Sequence, residues 1–457
     1  MTFLALLLVA FAQDEREADM FGGNDAEKPP HETAREGPDE VRPEPTPDER
    51  DFAPPQAGLL SDQDNALALG GQLFLRLNGS FSEDQTVGTL PLSSPSLVDF
   101  FADVRPNDRV RGFAQVRLNY DFTVVEGDAD FLGNERVPFE LLLDQLWVKL
   151  DLGRVVFITA GRQRIRWGTG RFWNPTDFIN TDVRNSIDFF DQRLGVNLLK
   201  VHFPFEQLGW NLYLIGTLDN VDAPEEAGVA ARAEFLFGEV ELAVSTLVKK
   251  DAPLRLGLDA SAGLWLFDLR AETTIQRGLG RPKFAGELDF AARVFPEQVD
   301  TDGDVFFQGV FGADLTLKYT DQDSVIMGAE YFYNQAGYAN AELYPFLALN
   351  GAFTPLFLGQ HYVAGYAVLP QPFAFNDTSF TLSTIANLSD KSVLSRLDVQ
   401  HTVLTYLTFN VFAGYHWGNI GELRLGFETP PVPPLLPEGF VLPTQIVDVG
   451  VALRLAL

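Results

Sequence analysis

From Gly71 to the C-terminus the chain alternates apolar and polar side chains. Over residues 72–81 the odd positions are Leu73, Leu75, Leu77, Gly79 and Phe81, and the even ones are Gln72, Phe74, Arg76, Asn78 and Ser80. Residues 109–123 repeat the pattern. Val110, Gly112, Ala114, Val116, Leu118, Tyr120 and Phe122 share one face, with Arg111, Gln115, Arg117, Asn119 and Asp121 on the other. In an extended chain, successive side chains point to opposite faces, so period two predicts strands with one apolar and one hydrogen-bonding face. Gln145, Trp147, Lys149 and Asp151 alternate with Leu146, Val148, Leu150 and Leu152, and similar dyads recur to residue 416. Segments of about 10 residues suit tilted strands that cross a hydrocarbon layer. Soluble sandwich strands are mostly shorter, about 5–6 residues.

The connections point the same way. Short turns such as Pro106-Asn107-Asp108, Leu152-Gly153-Arg154 and Gly238-Glu239 interleave with long loops near 83–95, 167–191, 277–304, 335–358 and 417–443. Short turns at one end and long loops at the other are the asymmetry of outer-membrane barrels. The pattern therefore predicts an all-β fold, a transmembrane antiparallel up-and-down barrel over 71–457. It has about 18 strands, with 16 as the alternative. The count turns on 277–304, where residues 284–295 read either as two strands or as a loop insertion. The last segment carries an apolar stripe, Val447, Val449, Val451, Leu453, Leu455 and Leu457. Asp448, Gly450, Leu453 and Leu455 resemble the terminal signal by which barrel-assembly machinery accepts outer-membrane barrels. Leu457 departs from that signal, which usually ends in an aromatic residue.

Composition adds compartment and excludes some partners. Phe and Gly are abundant (39 each), Met is rare (3) and Cys is absent, so disulfides and thiolate metal sites are excluded. Residues 1–12, MTFLALLLVAFA, end in Ala10-Phe11-Ala12 and read as a secretory signal peptide cut before Gln13. Residues 13–70 form a leader. Its 13–56 portion is proline-rich and holds 14 acidic against 5 basic residues, −9 of the chain's −29. Like charges and prolines leave too little apolar surface to offset ordering entropy, so a disordered periplasmic leader is expected. The net charge of −29 argues against nucleic acid as a partner. The bilayer and its lipopolysaccharide are the expected surroundings, at the bacterial outer membrane.

The chemistry is that of a lumen. The five histidines, His31, His202, His361, His401 and His416, have no metalloprotease spacing, and no G-x-S-x-G elbow occurs, so an enzyme is not expected. No cofactor is expected either. Asp300, Asp302 and Asp304 cluster carboxylates as a hard-cation loop would, without the remaining EF-hand positions. Arg162, Arg164 and Arg166 fall at period two, and facing lipid each would cost about 2–4 kcal/mol near the midplane. They are expected to face inward, with Gln163 outward. Arg117, Lys149, Arg193, Arg232, Arg255 and Arg270 also fall on polar faces, with Asp144, Asp259, Glu272, Asp314 and Glu330 on or beside them. Two readings follow: the charges neutralise one another across the lumen, or Arg162–Arg171 make a basic constriction lined by Trp167, Phe172 and Trp173. Rings of Arg select anions. Aromatic faces beside hydrogen-bonding groups suit sugar rings.

Gly161-Arg162-Gln163-x-Ile165-x-Trp167-Gly168-x-x-Arg171, followed by Arg184 and Asp188, resembles the alginate-export type of outer-membrane porin. Asn174-Pro175-Thr176-Asp177 stands as an insertion relative to that pattern. The resemblance covers about 50 residues. It implies a barrel of roughly 18 strands with a basic lumen through which an anionic exopolysaccharide leaves the cell. It also implies Arg162 and Arg171 as polymer contacts, and a periplasmic polysaccharide-export component as partner. The sequence thus predicts passive passage of a polar solute, carbohydrate or anionic, with polysaccharide export included. Part of the gating is expected from residues 170–192 folded inward. The alternative is a non-conducting structural or interaction barrel with acidic outer loops.

Overall fold

The computed structural model describes residues 66–83, 91–125, 127–128, 135–180, 192–219, 221–320, 323–431 and 438–456. The expected signal peptide, most of the expected leader, Arg184, Asp188 and Leu457 lie outside them.

Eighteen long strands form one antiparallel sheet in sequence order. They are β1 (Leu67–Ser82), β2 (Ser96–Asn107), β3 (Val110–Tyr120), β4 (Phe139–Leu152), β5 (Val156–Gln163), β6 (Val196–Phe205), β7 (Trp210–Thr217), β8 (Gly228–Phe237) and β9 (Val240–Val248). The second half is β10 (Leu254–Leu264), β11 (Phe267–Arg277), β12 (Val305–Lys318), β13 (Ser324–Asn334), β14 (His361–Pro370), β15 (Thr378–Asn387), β16 (Ser392–Leu404), β17 (Leu407–Gly418) and β18 (Gln445–Ala456). β18 pairs back onto β1, from Gln72 opposite Ala456 to Ser82 opposite Gln445, and the sheet closes. With neighbours about 4.8 Å apart and a tilt near 40°, eighteen strands enclose a backbone cylinder roughly 35 Å across. A bore of that width needs inward loops or water to fill it.

The predicted faces hold through most of the ladder. Leu75, Phe100, Leu146, Val148, Val244, Leu256, Ile275, Phe311, Leu382 and Val451 stand exposed on the outer wall. Their neighbours Asp99, Arg117, Asp144, Arg232, Asp259, Glu272 and Glu330 are buried on the inner one. An apolar exterior around a charged interior inverts a soluble protein and matches lipid outside and water within. Two boundaries move. β1 begins at Leu67, before the alternation at Gly71, because Ala68, Gly70 and Gly71 are too small to mark a face. Residues 278–304 add no barrel strand; they form a loop with a short ladder of Lys283–Ala285 on Glu297–Val299, and the count is 18.

The last strand keeps the expected register. Leu453 and Leu455 stand opposite Leu75 and Leu73 on the outward face. Asp448 turns inward and accepts from His416 Nε2 at 2.8 Å and Gln445 Nε2 at 2.8 Å. Gly450 is required where it is: a Cβ there would come within 2.3 Å of the Phe412 ring and 2.5 Å of Asn78 Oδ1.

The two ends of the barrel differ. The ends Leu67 and Ala456 lie with the short turns. At the other end three long loops build a cap. Helix α1 (Tyr344–Leu349) places Leu343, Tyr344 and Leu347 against Leu358, Phe284 and Tyr338. Ala348 joins Leu425, Leu442, Phe427 and Phe440, the last two on a small ladder of Phe427–Thr429 with Phe440–Leu442. Cap and barrel wall meet through buried polar groups. Tyr362 Oη–H donates to Glu422 at 2.6 Å, and Asn387 Nδ2 donates to Glu422 at 2.8 Å and to Asp390 at 2.9 Å.

Candidate functional site in the lumen

After Gln163 the chain leaves the sheet and crosses the lumen. β13, where the loop is finally anchored, lies eight strands on from β5 in an eighteen-strand ring, almost diametrically opposite. Glu272 of β11 is the first anchor. Its carboxylate accepts from the N–H groups of Thr169 and Gly170, from Thr176 Oγ1 at 2.9 Å, from Thr176 N at 3.3 Å and from Asn174 Nδ2 at 3.2 Å. Glu330 of β13 is the second, and accepts from three successive backbone groups: Arg171 N at 2.7 Å and Phe172 N and Trp173 N at 2.9 Å. Consecutive N–H groups turned toward one point make an anion-binding concavity. Here the wall supplies the anion and the loop supplies the concavity. Burying a carboxylate without such donors costs several kcal/mol, on the order of a full desolvation penalty.

The loop's sequence fits this task. Gly168 has φ +96°, and a Cβ there would lie 2.5 Å from Glu272 Oε1. Only glycine lets the carboxylate reach the backbone, which gives the Trp167-Gly168 pair a physical reason. Asn174-Pro175-Thr176-Asp177 is the lock. Asn174 and Thr176 hold Glu272, Pro175 O accepts from Thr274 Oγ1 at 2.9 Å, and Asp177 accepts from Arg193 Nη1 at 2.8 Å. Apolar packing completes the anchorage. Trp173 is 1% exposed, stacks on Phe332 at 5.3 Å between centroids and donates Nε1–H to Leu356 O at 3.0 Å. Trp167 packs with Ile165, Phe178, Val196, Leu198 and Leu247.

The structure distributes the expected site residues unevenly. Arg162, Arg164 and Arg166 do not share one face. Arg162 stands opposite Leu146 and Asn197, in the register of exposed Ala160, while Gln163 takes the inward position, 4% exposed. The reversal arises because β5 ends at Gln163, so period two no longer governs Arg164 and Arg166. Arg164 pairs with Asp144, which also lies 3.3 Å from Arg117 Nη2. Asp144 reaches inward through a bulge: Gln115 faces Gln145 and Val116 faces Leu143, so Asp144 is an extra residue re-aimed into the lumen. Arg166 Nη2 lies 3.5 Å from Gly170 O, holding the loop's first turn. Arg171 donates Nη1–H to Tyr366 Oη at 2.6 Å, with Asp314 at 4.0 Å. Lys149 sits 5.1 Å from the Phe157 ring centroid. Trp167 and Trp173 are packing residues rather than exposed lumen surfaces.

Four wall arginines are neutralised. Arg117 makes a two-pronged contact with Asp99 at 2.8 and 3.0 Å, Arg232 makes one with Asp259 at 2.7 and 2.8 Å, Arg270 pairs with Asp314 and Arg396 with Asp398. The lumen is therefore dense in fixed, opposed charges. Asp300, Asp302 and Asp304 form a turn in which Asp302 N donates to Asp300 Oδ1 at 3.0 Å. Among the described residues no group of three acidic or histidine side chains is gathered to hold a metal. Glu272 and Glu330 appeared in the sequence as ordinary polar-face residues; their signal as anchors lies in the loop that meets them, a hundred or more residues away.

No protein-family model matches the chain, and no curated protein does either. Solved structures similar to it include a triple mutant of the Rhodopseudomonas blastica porin, at 13% identity and a TM-score of 0.41, over 86% of this chain and 100% of that one. A double mutant of OccD1 (OprD) shares 12% identity with a TM-score of 0.47, over 85% and 95% of the two chains. OmpT, an outer membrane protein of Vibrio cholerae folded in vitro, shares 10% identity with a TM-score of 0.40, over 86% and 100%. Likeness this distant says nothing of cargo.

Proposed function

We propose that this chain is a passive outer-membrane channel for small polar solutes, with a cross-section set by residues 164–180. One observation carries the reading: a closed barrel, apolar outside and charged inside, is crossed by a loop anchored on Glu272 and Glu330 of the far wall. A barrel serving only as a scaffold has no use for a wet, polar interior of this width, whereas a channel needs both the width and something to narrow it. Carbohydrate suits the lumen as the neutral class of solute, because rows of paired guanidinium and carboxylate groups offer hydroxyls both donors and acceptors. Passage of a polymer would require the loop to leave its anchors, so small solutes are favoured over an exported polysaccharide. In this reading the short-turn end, where β1 starts and β18 ends, faces the periplasm and carries the leader there. The outward Leu453 and Leu455 with inward Asp448 belong to the signal that delivers the chain to its membrane.

The test is electrical. Purified full-length protein in planar bilayers gives stepwise current, and replacing residues 167–180 by a short glycine-serine link gives larger steps. Silence from both proteins, each verified as folded barrel by its heat-dependent electrophoretic shift, would leave the non-conducting scaffold standing instead.

A further inference from the structure

One stretch of the lumen breaks the rule of paired charges. Arg255 lies at the loop end of β10 in an inward row with Gln276 of β11 and Phe306 of β12, its cross-strand partners. Its neighbours Leu254 and Leu256 are exposed on the outer wall, whereas Gln276 and Phe306 are buried on the inner one. Arg255 lies 6.0 Å from the ring of Phe178, a residue of the crossing loop, and its Nε is buried with no hydrogen-bond partner. Lys283, from the loop after β11, sits over the Phe306 ring of the same row at 5.5 Å. Arg281 follows Gly280, whose Cβ would touch Pro253 Cδ at 2.8 Å, so the segment runs against the chain just before Arg255. Among the described residues none of these three head groups makes an ion pair or a hydrogen bond. By contrast Arg117, Arg164, Arg171, Arg193, Arg232, Arg270 and Arg396 each have a carboxylate within reach.

We propose that Arg255, Arg281 and Lys283 form a binding station for a small multivalent oxyanion, placed on the lumen wall where the crossing loop meets β10. The station deepens the channel reading and rests on it, by naming the charge of one solute class that the lumen would hold. Two guanidinium forks and an ammonium suit the several oxygens of a phosphate or a dicarboxylate. Each of the three residues is half-buried, so each is partly stripped of water. Burial and the Arg281 charge together hold the Lys283 ammonium below its usual range, against the opposing pull of Asp304. Burial likewise lowers Arg281, against Tyr338, Tyr362 and Glu422. An incoming anion would relieve the repulsion between the cations. The seven paired arginines offer no such vacancy, since each already faces a carboxylate.

The experiment compares the full-length protein with an Arg255→Gln/Arg281→Gln/Lys283→Gln variant, both shown to be folded barrels by heat-dependent electrophoretic shift. Channel current is recorded while inorganic phosphate is added in one arm and succinate in the other, at constant ionic strength. Calorimetry in detergent measures binding of the same two anions without reference to current. The native protein is expected to bind at least one anion and to show reduced current when it does. The variant is expected to conduct but to bind about tenfold or more weakly, as loss of charge-assisted hydrogen bonds would give. A response to phosphate alone or to succinate alone identifies the oxygen geometry preferred. Equal binding by both proteins, or no binding of either anion by the native one, overturns the station. Absent current with intact, variant-sensitive binding would overturn the channel reading and leave the station in place.

Discussion

Two assemblies narrow the bore of this barrel, and they are held by opposite means. The crossing loop is fastened to the wall by two acidic side chains, Glu272 and Glu330, that collect loop backbone N–H groups. The cap over the long-loop end is fastened mainly to itself, through Leu343, Leu347, Leu358, Phe353, Leu425 and Phe427, with Glu422 as a polar tie to the wall. Backbone donors at a fixed carboxylate define position sharply, since hydrogen bonds weaken steeply with angle and distance. Apolar packing tolerates sliding and repacking more readily. The difference suits a loop held in one place within the bore and a more adaptable cover over its end.

The largest break in that contrast comes from the anchors. Glu272→Ala with Glu330→Ala strands at least six donors, each costing about 1–3 kcal/mol when left unsatisfied. Single-channel current should rise to that of the loop-replaced protein, while hydrogen exchange in the cap stays unchanged. Current equal to that of the native protein would mean that apolar packing around Trp173 holds the loop unaided. Next comes Leu347→Ala, which empties a fully buried cap position and should weaken that cluster by about 2–5 kcal/mol. Exchange should quicken across 335–360 with the loop anchors intact; equal acceleration at 168–176 would show the two assemblies to be one.

The smallest effect is one of pH. Burial, aided by the nearby Asp390 charge, pushes the Glu422 carboxyl up to about 7, even though Tyr362, Leu358 and Asn387 donate to it. A carboxyl whose folded pKa is raised favours the folded arrangement in acid, fully below its unfolded pKa, and the advantage fades as pH rises through the folded value. The cap should therefore be better protected from exchange at pH 5 than at pH 8. Glu422→Gln should remove that dependence while keeping the acceptor oxygen. A slope of the same size in the variant would assign it to another group.

Much of the wall was legible because lipid and water impose period two on every strand. The interior was less so, for physical reasons visible at particular residues. Arg162 was expected inward because alternation was extended past Gln163, where the ladder stops. Asp144 and Gln145 both face inward because a bulge inserts a residue, which no strict alternation can anticipate. The Trp167-Gly168 and Asn174–Asp177 motifs stood out in the sequence, yet their purpose depends on Glu272, distant in the chain. The aromatic residues looked like a surface for solutes because Trp and Phe in a polar loop resemble one; packed against Phe332 and Phe178, they are the loop's footings. Arg281 and Lys283 carried no signal of their own, since a loop cation becomes notable only when most arginines of the wall are already matched.

Closure itself has a consequence for how the molecule is made. Gln72 Oε1 accepts from Arg454 Nε, a bond between residues 382 apart. The seam between first and last strands cannot form until almost the whole polypeptide exists, and the cost of bringing such remote segments together is met late. Until then β1 presents a bare row of amides and carbonyls to whatever strand arrives, including one from another chain. A barrel that ends by pairing with its own beginning keeps one edge of its sheet open until the last strand is in place.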